Sequence, residues 1–401
     1  MEQVPEEPRS RPTVRLLPKT DPRRVQRGFP WVYANELVMD RRTKGLVPGS
    51  IAVLEDANRR PLATVAINPA SKIAARVLDS DPEAVIDRDW LAARLMVALA
   101  HRERLFDEPF YRLIHAEADG LPGVIIDRFG DVAAVQPNAA WAENMFDQLV
   151  AALMSVAGVS TVVKNAGGRA RSLEGLDEES SVVAGQLDGP IQVPMNGAKY
   201  LADLLEGQKT GLFYDQRPNH AMTAWLAKDA RVLDVFSHVG GFGLASLAGG
   251  AASVLAIDGS DPALALARQG AEAMGVSDKY ETRKGDAFKV MEALAADGAS
   301  FDVVVCDPPA FAPNRAAFDA GLRAYQRVAR MGAALVASGG YLVVCSCSHA
   351  VDLEKFRAAS IRGIGARGAQ LIHTGFAGPD HPLHPALGES GYLKALFFRL
   401  A

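Results

Sequence analysis

"RVLDVFSHVGGFG", Arg231–Gly243, is the stretch on which the fold reading turns. Its apolar residues, interrupted by one acid, read as a strand buried on both faces, and the glycines that follow open a helix. Three runs of the same kind come after it: "SVLAIDGS" from Ser253, "FDVVVCDPP" from Phe301 and "GYLVVCSCS" from Gly340. Between them lie "GLASLAGG", "DPALALARQGAEAMG" and "RAAFDAGLRAYQRVARMGAALVA", patterned as helices. Buried strands alternating with helices predict an α/β, doubly wound, Rossmann-like domain over residues 201–401.

Upstream the texture differs. From about Thr13 to Leu78, short apolar runs such as "GLVPGSIAVLED" and "PLATVAINP" are broken by turn residues, which predicts a small β-rich module over 1–86. The helical pattern "DRDWLAARLMVALAHRERLF" follows, with Asp87 or Asp89 placed to cap it. Strand-like "YRLIHAEAD" and "GVIIDRFGDVAAVQ", one helical pattern, then "TVVKN", "SVVAGQ" and "PIQVPM" predict a compact α+β middle domain over 87–200.

Composition bounds the function classes. With 49% hydrophobic and 22% charged residues, 401 residues make an ordinary globular chain with a sizeable core. A formal net charge of −4 excludes a global basic field, so any nucleic-acid contact must come from a local patch. One patch qualifies: Arg9, Arg11, Arg15, Lys19, Arg23, Arg24 and Arg27 face only Asp21 among acids, with Glu2, Glu6 and Glu7 confined to the extreme N-terminus. A solvated tail explains that run as well as RNA contact does. Cys306, Cys345 and Cys347 are too few and too bunched for a secreted disulfide framework, which points to a reducing cytoplasm. The N-terminus has no apolar core to serve as a secretory signal, and the longest uncharged run, Val235–Ile257, carries five glycines. That run reads as buried loop and helix, so no membrane partner is expected.

In an open parallel sheet, ligands bind beyond the carboxyl ends of the strands. The first strand end carries Gly240, Gly241 and Gly243, which allow close backbone approach but lack the dinucleotide spacing. The second places Asp258 where an acid can accept from both ribose hydroxyls; Asp261, before Pro262, is the better candidate for a helix cap. The third, "KGDAF", places Asp286 to meet the exocyclic amine of an adenine. Three strand-end acids in succession suggest an adenosine ligand that needs no pyrophosphate cradle. The fourth, "CDPPAF", makes a rigid wall of Pro308 and Pro309 between Asp307 and Phe311, suited to a planar base. At the fifth, "CSCS", alternation turns Cys345 and Cys347 the same way. Zinc would require further ligands at metal spacing, so no metal is expected. Core packing is the better reading for Cys345, and a nucleophile for Cys347 at the strand tip.

Taken together, "VLDVFSHVGGFG", "AIDGS", "GDAF", "CDPPAF" and "CSCS", with "GLFYDQRPN" upstream, resemble the bacterial RlmI-type methyltransferases. "RGFPWVYANEL", "GLVPGSIAVLED" and "INPASKIAARVL" resemble that family's N-terminal PUA domain, an RNA-binding module, and "HAEADGLPGVIIDRFGD" its middle domain. The resemblance implies an S-adenosyl-L-methionine-dependent enzyme that forms 5-methylcytosine in 23S ribosomal RNA. It implies cofactor binding by Phe213, Asp215, Arg217, Asp234, Phe236, Gly240, Gly241, Asp258, Gly259, Asp286 and Ala287. Catalysis falls to Cys347 and Asp307, and substrate contact to Pro308, Pro309 and Phe311. Ala310, His349 and Cys345 depart from the family's pattern. His349 is one candidate for the base that removes the carbon-5 proton, against a surface turn histidine, and Trp31 and Phe311 could stack on unpaired bases. Methylation of an exocyclic base nitrogen, an NAD-dependent oxidoreductase and a catalytically inactive RNA-binding protein are the competing readings. A homodimer remains open.

Overall fold

The computed structural model describes residues 11–205, 207 and 211–401. Arg9, Glu2, Glu6 and Glu7 lie outside the described residues. Two compact units are present: one runs up to Leu187 and includes Pro382–Gly388, the other comprises Asp188–His381 and Glu389–Ala401.

In the first unit, β1 (Thr13–Arg15), β2 (Trp31–Val32), β3 (Ser50–Glu55), β4 (Pro61–Ile67) and β5 (Ala75–Asp79) form a sheet in the order β1-β3-β4-β5-β2. Alternate residues such as Ala52 and Leu54 turn inward to a core with Val14, Val65 and Ile67, the half-buried pattern the sequence predicts. Helix α1 (Arg88–Leu105) follows, and Asp87, not Asp89, caps it by accepting from Trp90 N at 2.9 Å. A second sheet, in the order β10-β9-β8-β7-β6, contains β6 (Phe110–His115), β7 (Val124–Phe129), β8 (Val132–Pro137), β9 (Thr161–Lys164) and β10 (Ser181–Ala184). Helix α2 (Phe146–Ala157) connects β8 to the parallel β9 and shares one core with α1 through Leu91, Leu95, Leu149 and Leu153. Buried charge here is paired: Arg102 donates to both Asp119 carboxylate oxygens at 2.7 Å.

The second unit opens with a hairpin, β11 (Ile191–Met195) and β12 (Ala198–Ala202), so the chain joins this unit ahead of residue 201. Helix α3 (Arg217–Leu226) leads into β13 (Arg231–Val235), β14 (Ser253–Asp258), β15 (Tyr280–Lys284), β16 (Phe301–Cys306), β17 (Val336–Ser346), β18 (Ala369–Gly375) and β19 (Lys394–Leu400). Their order is β15-β14-β13-β16-β17-β19-β18, with β13 to β17 parallel and β19 antiparallel to its neighbours. Helices α4 (Gly241–Ala248), α5 (Asp261–Ala273), α6 (Ala287–Ala296), α7 (Phe318–Leu335) and α8 (Leu353–Ile364) make the connections. Strand order reverses between β13 and β16, the switch point beyond whose carboxyl ends open α/β sheets bind ligands. No helix among the described residues is long and apolar enough to cross a membrane.

One local expectation is corrected. Ser260, not Asp261, caps α5: its hydroxyl accepts from Ala263 N, while Asp261 occupies the first helical position beside Pro262. Asp261 there still complements the helix dipole.

Candidate active site

All the site residues expected from sequence belong to the second unit, and most cluster beyond the carboxyl ends of β13 to β17. The turn after β13 is conformationally unusual. Phe236 and His238 have φ of 64° and 49°, in the left-handed region that non-glycine residues seldom enter, and Gly240 has φ of 86°. Such a turn persists only when its surroundings over-determine it. Here Ser237 N donates to Ile257 O at 3.0 Å, and His238 N to Asp258 Oδ2 at 2.9 Å.

The glycines serve packing inside the protein. A Cβ on Gly240 would come within 2.6 Å of the Tyr280 hydroxyl, and one on Gly241 within 2.7 Å of His220 Nε2. Asp234 is wholly buried beneath the turn, and its Oδ2 accepts from Gly243 N at 2.8 Å, pinning the start of α4. Burial pushes its carboxyl up to about 7, with the Asp258 charge adding to the shift and the Gly243 hydrogen bond opposing it.

Asp258 is different in kind. It is half-buried at the tip of β14 and held by two amides, His238 N on Oδ2 and Ser260 N on Oδ1. Gly259 beside it is exposed, and an added Cβ there would meet nothing within 4 Å. Asp286 is exposed and caps α6 by accepting from Lys289 N, with the buried Ala287 next in the chain. Phe213 packs its ring 5.1 Å from that of His238, bringing the segment upstream of α3 onto the β13 turn. Asp215 Oδ2 accepts from the Tyr392 hydroxyl at 2.6 Å, while burial pulls the Arg217 guanidinium down against the opposing charge of Asp380. The buried Asp215 Oδ1 and Ser237 Oγ have no hydrogen-bond partner in the protein. A fixed carboxylate, open space at Gly259 and these unsatisfied polar atoms suit an adenosine-bearing ligand.

Asp307 sits at the tip of β16, half-buried, and its Oδ2 accepts from Gln216 Nε2 at 2.9 Å. Desolvation and then the Asp215 charge push its carboxyl up to about 8, against the Gln216 hydrogen bond. The shift favours its protonated form, which has an O–H to donate. Pro308 is buried and Pro309 exposed. Phe311 is more committed than a free stacking platform: its ring lies 5.0 Å from Tyr325, 6.3 Å from Phe288 and 6.5 Å from Phe236.

The two cysteines of "CSCS" are unequal. Cys345 is fully buried, and burial pushes its thiol well above the ordinary value; Cys347, past the end of β17, is half-buried. The serines explain the separation. Ser348 Oγ accepts from Ala312 N at 3.0 Å and bonds the Tyr325 hydroxyl at 2.7 Å, while Ser348 N donates to Ser346 Oγ. Both serines are buried, so they stitch the β17 tip to the loop after β16 while Cys347 retains access. His349 is exposed, its ring 5.3 Å from that of Tyr392.

Sequence reasoning missed Gln216, Ser346, Ser348 and Tyr325, whose contacts hold Asp307 and the cysteine turn in place. Gln216 had a signal, since it stands inside "GLFYDQRPN" between two flagged residues. Tyr325 had none beyond helical periodicity. In the first unit, Arg24 pairs with Glu36 and stacks on Phe29 at 3.7 Å, and Trp31 donates from its indole to Glu117 at 2.8 Å. Those contacts leave Trp31 half-buried and less available for stacking than its sequence context suggests.

Comparison with known proteins matches this architecture. The model of S-adenosylmethionine-dependent methyltransferases matches residues 174–399, and that of PUA-like domains residues 14–80. A ribosomal RNA large subunit methyltransferase of Deinococcus radiodurans is 36% identical, the match covering 98% of each chain. Ribosomal RNA large subunit methyltransferase I of Shewanella denitrificans is 34% identical over 96% of this chain and 99% of its own. In fold, a chain from Streptococcus mutans assigned to the S-adenosylmethionine-dependent methyltransferases superposes with a TM-score of 0.81 at 18% identity, covering 97% of this chain and 100% of that one. A methyltransferase-assigned chain solved with S-adenosylhomocysteine gives 0.81 at 19% identity, covering 97% and 99%. Sequence identity over almost the whole length and a strand-end site suited to adenosine agree: the chain belongs to the ribosomal RNA large subunit methyltransferase I family of S-adenosylmethionine-dependent methyltransferases.

Proposed function

We propose that this protein methylates carbon 5 of a cytosine in 23S ribosomal RNA, with Cys347 as the covalent nucleophile. Residues 1–86 would act as the RNA-binding part and 87–200 as the middle part up to the β11–β12 hairpin, which would join 201–401 as the catalytic part. Cys347 acting as a thiolate nucleophile would suit reducing surroundings, which supports a cytoplasmic reaction. The observation that carries the reading is a half-buried thiol just past the tip of β17, with Asp307, a carboxyl that burial raises, at the tip of the neighbouring strand β16.

Carbon 5 of cytosine is a weak nucleophile until a group adds at carbon 6. The Cys347 thiolate forms that bond, and the displaced π electrons draw the Asp307 proton onto N3, leaving an enamine at carbon 5. S-adenosylmethionine, which Asp258 and its neighbours would hold, would supply the methyl group: the carbon 5–methyl bond would form as the sulfur–methyl bond breaks, its electron pair leaving on the sulfur of S-adenosylhomocysteine. Asp307 then recovers the N3 proton. A base removes the carbon-5 proton, the carbon 5–carbon 6 double bond re-forms and Cys347 leaves as thiolate. The Gln216 hydrogen bond keeps Asp307 aimed throughout.

Trapping tests this directly. RNA containing 5-fluorocytosine blocks the last proton removal, so wild type should accumulate a covalent protein–RNA adduct and Cys347→Ala should not. An adduct that survives in Cys347→Ala would reject the assignment. Methylated RNA whose nucleosides carry the methyl on an exocyclic nitrogen would reject the carbon-5 reaction itself.

A further inference from the structure

One buried cation beside the cysteine turn has no part in that scheme. Lys394 opens β19 opposite Ser346 of β17, and it is only 4% exposed. Its Nζ donates to Ser348 O at 2.9 Å and Val351 O at 2.7 Å, closing the turn that carries Cys347 away from the strand. A lysine is seldom buried this far without a partner for its charge, because desolvating an ammonium is costly. Two carbonyls satisfy hydrogen bonds but do not neutralise charge.

The titratable neighbours narrow the choice. Cys345 lies on β17 below Cys347, Tyr325 faces it from α7, Asp307 stands at the tip of β16, and Asp352 caps α8. Cys345 is buried as a neutral thiol, Asp307 is engaged by Gln216, and the exposed Asp352 is engaged by Lys355. Cys347 and then Asp352 are the negative groups that favour the Lys394 ammonium, and Nζ sits on the carbonyl of Ser348, the residue next to Cys347; burial, the larger effect, acts against the ammonium.

We propose that Lys394 is a positioning residue that closes the Ser348–Val351 turn and holds Cys347 as a thiolate. The consequence for catalysis rests on Cys347 being the nucleophile, but the charge pairing can be measured without turnover. Iodoacetamide alkylation of the full-length protein, followed against pH and read at the Cys347 peptide by mass spectrometry, reports thiolate directly, since Cys306 and Cys345 are buried. The wild-type midpoint should lie below the ordinary thiol value of about 8.5. Lys394→Met should raise the midpoint by about one pH unit, slowing alkylation near pH 7 by about tenfold, and Lys394→Arg should restore it. Equal midpoints in wild type and a folded Lys394→Met would overturn the proposal. Should that variant not fold, the wild-type midpoint decides: a value at or above about 8.5 overturns the pairing and a lower one supports it. The 5-fluorocytosine trap separates the two readings. An adduct in Cys347→Ala with an intact Lys394 effect removes the nucleophile and keeps the pairing, whereas a Cys347-dependent adduct with no Lys394 effect does the reverse.

Discussion

Cys345 and Cys347 share a motif and a chemistry, yet their surroundings send them apart. Cys345 is fully buried and kept neutral, whereas Cys347 retains access. Cys345→Ala should keep most activity and lose about 1 kcal/mol of stability from lost packing. Cys347→Ala should lose turnover while binding S-adenosylmethionine as wild type does, which calorimetry of cofactor binding and a methyl-transfer assay would distinguish. Asp307 makes a prediction with a definite sign. Its folded-state carboxyl, pushed up to about 8, keeps a proton that the unfolded chain releases near the ordinary value of about 3.9. Between those values the folded state binds more protons, so this group makes stability fall as pH rises through the window. Asp307→Asn removes that contribution. Urea unfolding at pH 5 and pH 8 should show the variant gaining on wild type at the higher pH, even though its methyl transfer is lost. A difference between the two proteins that does not change with pH would count against the raised carboxyl.

At the scale of elements, the turn from β13 into α4 couples backbone strain to the ligand site. Phe236 and His238 accept left-handed conformations because Ile257, Asp258 and the packing of Gly240 against Tyr280 leave no alternative. Gly240→Ala would meet both the left-handed backbone, worth about 1–2 kcal/mol, and the close approach to the Tyr280 hydroxyl. Its melting temperature should fall by several degrees, and its S-adenosylmethionine affinity should weaken with it, as the turn positions His238 N on Asp258. An alanine variant with wild-type melting and affinity would contradict this account. The turn after β17 works on the same principle with side chains: Ser348 ties it to α7 and to the loop after β16, so three elements converge on one cysteine.

Across the whole molecule, the features legible from residue order alone are periodic or compositional. The doubly wound sheet was legible because strands buried on both faces must be apolar throughout, as in "VLDV" and "FDVVVC". A cap on α1 at Asp87 or Asp89 and the strand-tip places of Asp258, Asp307 and Cys347 follow from rules that span only a few residues, and the structure chose Asp87. The expectation of an S-adenosylmethionine-dependent methyltransferase with a PUA-like domain also came from motifs at such short range, and the family matches agree with it. The remaining features depend on partners far along the chain. Asp234 and Asp258 are equally strand-end acids, but one is buried under a helix start while the other stays at the surface of the turn. Gln216 meets Asp307 from 91 residues away, Tyr325 meets Ser348 from 23, and Lys394 meets Ser348 from 46. Desolvation and charge proximity are properties of the assembled site. They raise the Asp307 carboxyl and separate the two cysteines, and no local pattern encodes them.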